Sequence, residues 1–393
     1  MTRSARLAAA CSAAALTVLA APGQSAADLP GGLQAEAEAD LDLVLAPDSS
    51  ALRTGPYGVL ALRWSADAVQ PSGLRWGLDL AGEAVAGDGR RGLARPLDDC
   101  PACPRAPDGR ALAGLVTGLS GPTGGAPASG QAGLSQASLW MQTGFVRLRA
   151  GIAEGAAGQE RTDLPGAART LRADGGLIDP TGLALVDTGL SLAGPAPGVS
   201  IQTRRLIGLR ATASYTPDAG WRSVGRARAA GPDLVRGDVR DVWALAASFD
   251  RRSPQSGVRW RAYAGAETGR AAGPDAASLR GPWTVSARLT RTRGDVSVGL
   301  AWLKTNDGLP GADYEALSAS ASLERGDWLF SAEAGTARAG LARRDGRTFQ
   351  LSASRLVGAN AVIGLAASIA EETGAGMQDR RRARLALETG LRF

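Results

Sequence analysis

Gln34 to Leu45 reads QAEAEADLDLVL. In an extended chain Ala35, Ala37, Ala39, Leu41, Leu43 and Leu45 fall on one side, and Gln34, Glu36, Glu38, Asp40 and Asp42 on the other. A period of two belongs to a strand, whereas a helix would scatter these carboxylates around its circumference. The same alternation ends the chain: Leu385, Leu387, Leu391 and Phe393 share one face, and Arg384, Glu388 and Arg392 the other. Strands of about ten residues, apolar on one face and polar on the other, suit a barrel wall between lipid and water.

Working outward from these ends, the alternation predicts sixteen strands, at 33–45, 57–64, 74–85, 134–142, 145–152, 202–215, 221–229, 241–250, 258–268, 283–291, 296–304, 313–324, 328–337, 348–356, 361–370 and 383–393. Their connections alternate too. Thr143-Gly144, Thr216 to Gly220, Thr292 to Asp295, Arg325 to Asp327 and Val357 to Asn360 are short and rich in turn formers. Between them fall 86–133, 153–201, 230–240, 269–282, 305–312, 338–347 and 371–382, which are longer. With both termini periplasmic, this strand count places every long loop outside and every short turn inside. Ala111 to Leu119 would add a strand and break that parity, so it is assigned to the second external loop. The expected fold is an all-β, transmembrane antiparallel β-barrel of sixteen strands.

The first 27 residues read as a leader. Arg3 and Arg6 precede an apolar stretch, Leu7 to Ala21, which Pro22-Gly23 interrupts well short of a membrane span. Ser25-Ala26-Ala27 offers the small residues a signal peptidase reads, so cleavage before Asp28 is expected, leaving 28–393 as the barrel. Phe393 would sit in the periplasmic aromatic girdle and resembles the C-terminal signal presented to the barrel-assembly machinery.

Composition narrows the function. There is no histidine in 393 residues, which removes the commonest general base and metal ligand, so no enzyme, metal site or cofactor is expected. The basic excess, a formal +6, is arginine apart from Lys304, and it forms no clustered runs of the kind nucleic acid would need. Arginine suits carboxylates and lipopolysaccharide phosphates, but a GC-rich genome would give the same bias; outer-membrane lipid and lipopolysaccharide are the surroundings expected of an outer-membrane barrel. Cys100-Pro-Ala-Cys103 has thioredoxin-type spacing but lacks a βαβ context; in an oxidising compartment a short structural disulfide is the expectation. A zinc site would need two more ligands. The glycine-rich stretch Gly121 to Gly133 matches no phosphate-binding motif.

Ser135 to Gly151 reads SQASLWMQTGFVRLRAG. It resembles the general diffusion porins of Gram-negative bacteria, in which a strand, a tight glycine turn and a strand ending near Arg-x-Gly lead into a pore-constricting third loop. The resemblance implies that 153–201 folds inward, that Arg204 to Pro217 returns from it, and that the protein is a homotrimer in the outer membrane passing small hydrophilic solutes. The chain departs from the family in lacking a Pro-Glu-Phe-Gly-type motif in that loop.

A barrel of sixteen strands leaves an aqueous channel unless something fills it, and charges at its narrowest point set selectivity. Alternation turns Arg147, Arg149, Arg210, Arg222, Arg226, Arg228, Arg259, Arg261 and Arg288 inward, facing Glu36, Glu38, Asp40, Asp42, Asp79 and Glu83. The loop adds Glu154, Glu160, Asp163, Asp174, Asp179 and Asp187, with Arg161, Arg169 and Arg172. The constriction is assigned to Arg147, Arg149, Arg210, Arg259, Arg261 and these loop charges other than Asp187, with weak anion preference. A second reading keeps the barrel but plugs it, leaving the long loops to bind a partner as a structural or adhesive protein.

Overall fold

The computed structural model describes residues 27–29, 33–45, 57–86, 114–117, 131–176, 179, 181–219, 238–273, 279–341, 343–358, 360–374 and 379–392. After a three-residue strand, β1 (Ala27–Leu29), come β2 (Leu33–Leu45), β3 (Tyr57–Val69), β4 (Arg75–Ala86), β5 (Gln131–Gln142) and β6 (Val146–Ala153). A short helix, Ala156–Glu160, precedes β7 (Ala196–Thr203), β8 (Leu209–Asp218), β9 (Asp238–Arg252), β10 (Arg259–Ala272) and β11 (Trp283–Arg293). The remainder are β12 (Val296–Thr305), β13 (Tyr314–Arg325), β14 (Trp328–Ala339), β15 (Arg344–Val357), β16 (Ala361–Gly374) and β17 (Arg380–Arg392). Each of β2 to β16 pairs antiparallel with the next, and β17 returns to β2, so the sixteen long strands form a closed ring. Closure leaves no sheet edge, as a bilayer demands.

The strand number matches the expectation, but one partition differs. Residues 202–215 are not one strand: β7 and β8 flank a turn at 204–208, in which Ile207 and Gly208 take positive φ. Residues 196–201 of β7 fall in the expected 153–201 loop, since Pro197 and Gly198 interrupt the alternation, yet Gly198 belongs in the strand. A Cβ on it would come within 2.7 Å of the Tyr215 carbonyl. Thr216 and Pro217 extend β8 rather than opening a periplasmic turn. The predicted strand 221–229, with Arg222, Arg226 and Arg228, lies outside the described residues.

On β12 to β17 the outward rows locate the membrane. Leu300, Ala319, Ala334, Phe349, Ile369 and Ala383 lie side by side across the strands. The row two residues nearer the periplasm is Val298, Ala321, Ala332, Leu351, Ala367 and Leu385. The next is Val296, Leu323, Phe330, Ala353, Leu365 and Leu387. Arg347 and Arg355 of β15 bracket these rows. At about 3.4 Å per residue and a tilt of roughly 40°, that separation is about 20 Å, close to the ~25 Å apolar band of outer-membrane barrels.

Candidate functional site: the inward segment and the facing wall

Residues 154–195, between β6 and β7, hold most of the charges expected at the constriction. Many of their described amides and side chains bond to the inward face of the wall. Ala156 N–H donates to Ser214 Oγ on β8 at 2.8 Å, and the helix packs Ala156 and Ala157 on Ala244, Ala246 and Tyr263. Glu160 is buried. It accepts from Arg210 Nε at 2.9 Å, Gln202 Nε2 at 2.7 Å and Thr212 Oγ1 at 2.6 Å, and from the Ser248 hydroxyl. Burial alone would push this carboxyl up. The hydrogen bonds from Ser248, Thr212 and Arg210 outweigh it and hold the group below its ordinary value.

Beyond the helix the segment follows the wall. The Thr162 carbonyl accepts from Arg288 Nη1 at 3.0 Å, and Ala167 N–H donates to Ser331 Oγ at 2.9 Å. Pro165 crosses β12 at Gly299, where a Cβ would stand 2.7 Å from the proline ring; only glycine admits so close an approach. At the far end Arg169 and Thr170 meet Glu388 of β17, and Arg169 also reaches Asp40 at 3.0 Å and Asp42 at 3.3 Å on β2.

The chain then turns back. The Leu171 carbonyl accepts from Gln350 Nε2 at 2.7 Å, and Arg172 pairs with Glu333 at 2.9 Å. Tyr314 donates its hydroxyl to the Leu185 carbonyl at 2.7 Å and accepts from Asp187 N–H at 2.9 Å. Leu185 and Val186 pack there with Leu303, Leu309 and Ala337. Arg288 Nη2 reaches Thr188 Oγ1 at 3.1 Å; Ser191 Oγ and Leu192 N–H both donate to Glu267 on β10.

Most of the loop charges hold this excursion in place. Arg161 donates to the Gly189 carbonyl and Asp174 accepts from Thr188, tying the outgoing limb to the returning one. Asp179 caps its own turn, accepting from Thr181 N–H at 2.9 Å and Ala184 N–H at 2.8 Å. Asp163 follows Thr162 in the same limb, and the Glu154 carbonyl accepts from Gln159 Nε2 at 2.6 Å. Arg259, the first residue of β10 after the 253–258 turn, pairs with Asp250 at 2.7 Å at the periplasmic rim rather than with the segment. Arg261 stands inward one row above it, half-buried. Cys100, Cys103 and Phe393 lie outside the described residues.

Three of the assigned arginines remain together on β6 and β8. Arg149 pairs with Asp79 at 2.9 Å, which also accepts from Trp140 Nε1 at 3.3 Å. Arg147 lays its guanidinium on the Trp140 ring, 3.8 Å from the centroid, a cation–π contact. Arg147, Arg149 and Arg210 line a polar cavity of about 200 Å³ with Gln159, Ser200 and Gln202. Sequence reasoning missed Trp140, Gln159 and Gln202, and the wall acids Glu267, Glu333 and Glu388. The signal for Trp140 was present: in SQASLWMQ it alternates with Leu139 and Met141 on the side of Ser138 and Gln142.

A second segment caps one side of the external mouth. Residues 114–117 dock on Asp307, between β12 and β13; its carboxylate accepts from Val116 N–H at 2.7 Å and Thr117 N–H at 2.9 Å. Val116 packs there with Leu192, Ala193, Val239 and Val242. Burial pushes the Asp307 carboxyl up, against the hydrogen bonds from Thr117 and Val116.

Comparison with known proteins agrees with this architecture. The anion-selective porin from Comamonas acidovorans has a structure similar to this chain at a TM-score of 0.53 and 12% identity, covering 92% of this chain and 99% of that one. A mutant porin of Rh. blastica aligns at a TM-score of 0.47 and 13% identity, covering 92% of this chain and 100% of that one. No curated protein matches the sequence. A family model described as Gram-negative porin matches residues 10–375, nearly the whole chain. The chain therefore belongs to the Gram-negative porins, non-enzymatic outer-membrane channels for passive diffusion of small hydrophilic solutes.

Proposed function

We propose that this channel passes small hydrophilic solutes with a weak preference for anions, set by Arg147, Arg149 and Arg210 beside the inward segment. One observation carries the reading: Arg149 and Arg210 each have a carboxylate partner, while Arg147 rests on a tryptophan ring. Among the described residues, the cavity between them therefore keeps uncompensated positive charge. Low-dielectric walls focus such a field and raise the local anion concentration. Screening keeps the preference weak, because the Debye length at 0.1 M salt is about 10 Å, comparable with a pore radius. A reversal potential measured across a KCl gradient tests this. Anion sign, stronger at low salt and reduced in R147S/R149S, is expected; cation sign defeats it.

The packing of 154–195 against so many strands also favours the second reading, a plugged barrel whose outer loops bind a partner. Single-channel conductance separates the two, since a plugged barrel passes no current.

Four further assignments belong to this proposal. Residues 1–27 are a cleaved leader, checked by the N-terminal sequence of the protein taken from outer membranes. Cys100 and Cys103 form a disulfide, checked by mass spectrometry without reductant; two free thiols would refute it. Phe393 is read by the barrel-assembly machinery, so its deletion should impair insertion. The protein is a homotrimer among outer-membrane lipid and lipopolysaccharide; a monomer by light scattering in mild detergent would count against that.

A further inference from the structure

Among the described residues Trp140 is the one tryptophan that strand alternation turns into the lumen. It shares a face with Ser138 and Gln142, whereas Trp76 pairs with the outward Met141, and Trp243 and Trp260 stand exposed on the lipid side. An indole facing water leaves apolar surface wet, yet Trp140 is only 5% exposed. What covers it is charged.

Directly across from Trp140 on β4 stands Gly77, where a Cβ would come within 2.6 Å of the indole Cζ2. Glycine there lets the ring lie down on the wall. On β6 the residue opposite Trp140 is Arg149, and Arg147 is its diagonal neighbour, within reach of a long side chain. The Arg147 guanidinium lies over the ring at 3.8 Å from the centroid, and Arg75 approaches it at 5.7 Å.

Strand pairing leaves Arg147 among neutral neighbours. Gln142 on β5 and Gln202 on β7 stand directly opposite it. Asp79 is engaged elsewhere: one oxygen accepts from Trp140 Nε1 at 3.3 Å and the other from Arg149 Nη2 at 2.9 Å. Arg147 Nε is buried and makes no hydrogen bond among the described residues, so the ring fixes its pose. A guanidinium offers two different surfaces. Its flat face stacks on aromatic rings, while its N–H donors lie in the plane and point away from the edge. A carboxylate partner takes the edge and cancels the charge. An aromatic partner takes the face and leaves both edge and charge to the lumen.

We propose that Trp140 is the positioning residue of the anion preference: it seats Arg147 by its face and holds Asp79 on Arg149, so that Arg147 meets passing anions unneutralised. The proposal deepens the anion preference above and rests on it for its effect on ion flow, but not for the seat itself.

The test uses the full-length protein with W140M and W140L, two ring-free replacements of different shape, and W140F, which keeps a ring. Labelling of Arg147 by phenylglyoxal, read by peptide mass spectrometry in detergent, reports the seat without reference to ion flow. A cation–π contact biases a side chain about two- to fivefold, so W140M and W140L should label faster than wild type by about that factor. W140F should label like the wild type. Equal rates throughout overturn the proposal, and so does W140F labelling as fast as W140M. Reversal potentials across a KCl gradient then read the effect on ion flow. W140M should move the wild type toward the cation limit and leave R147S unmoved. The same shift in R147S would mean that Trp140 acts on the pore without Arg147, which also overturns the proposal. A cation sign in the wild type strikes the anion preference, and the labelling rates still decide the seat. If neither ring-free variant assembles into a folded barrel, Trp140 serves the fold and the proposal falls.

Discussion

Thr170 gives both its backbone N–H and its hydroxyl to one oxygen of Glu388, each at 2.6 Å, across 218 positions of sequence. The other carboxylate oxygen accepts Arg169 N–H at 2.9 Å. Hydrogen bonds to a charged acceptor contribute about 1.5–3 kcal/mol each, so this one side chain anchors the tip of the inward segment. Glu388→Ala should release the tip and give larger, noisier single-channel currents in planar bilayers. Currents indistinguishable from wild type would show that the tip is held elsewhere.

The other end of the segment should respond to acid. Glu160 lies below its ordinary value of 4.5, so docking of the helix favours the carboxylate. The sign follows: the stabilisation is complete above about pH 4.5 and fades as pH falls through the depressed folded value. Current fluctuations should therefore rise in the wild type only as the pH is taken below 4.5, and be present already at neutral pH in Glu160→Gln. A wild type equally quiet at acid and neutral pH contradicts this.

Asp79 offers a charge change that leaves the arginines in place. It accepts from Arg149 Nη2, Gln136 Nε2 and Trp140 Nε1. Asp79→Asn removes the negative charge that pairs with Arg149 while keeping a carbonyl acceptor. The reversal potential should move toward the anion limit by more than the scatter between wild-type channels. A shift toward the cation limit would mean that Asp79 organises the arginines rather than merely neutralising one of them.

The wall glycines give a steric test. Gly299→Val places side-chain carbon against Pro165 and Leu164, and overpacking of this kind costs about 1–3 kcal/mol. That cost falls on the docked segment, since the strand pairing of β12 is made by its backbone. Limited proteolysis should cut within 154–195 faster, with the β-sheet circular dichroism unchanged. Uniform loss of both would place the strain in the barrel itself.

Period-two alternation made the barrel legible because lipid and water face every strand, and each strand carries its own signal. Where the signal failed, local chemistry was misleading. TPDAG at 216–220 looks like a turn, while the actual turn, Arg204 to Gly208, contains no proline, asparagine or aspartate. The inward faces of Glu267, Glu333 and Glu388 could be read by parity. Their partners could not, since Arg172 lies 161 positions from Glu333 and no local pattern records so distant a pairing. The same holds for Arg169 and Arg172, legible as channel charges but engaged as anchors.

The contacts of Arg169 bear on the order of events during folding. Its backbone N–H binds Glu388 on the last strand, and its guanidinium binds Asp40 and Asp42 on the first long strand. Those two strands meet through Leu387 to Arg392 on one side and Asp40 to Leu45 on the other. The middle of the chain is thus a clasp over the seam that joins its ends. A pairing between strands so far apart in sequence is among the slowest contacts a chain makes. The clasp has no complete receptor until that seam exists, so the amides of Arg169 and Thr170 should gain protection from exchange only after the last strand has found the first.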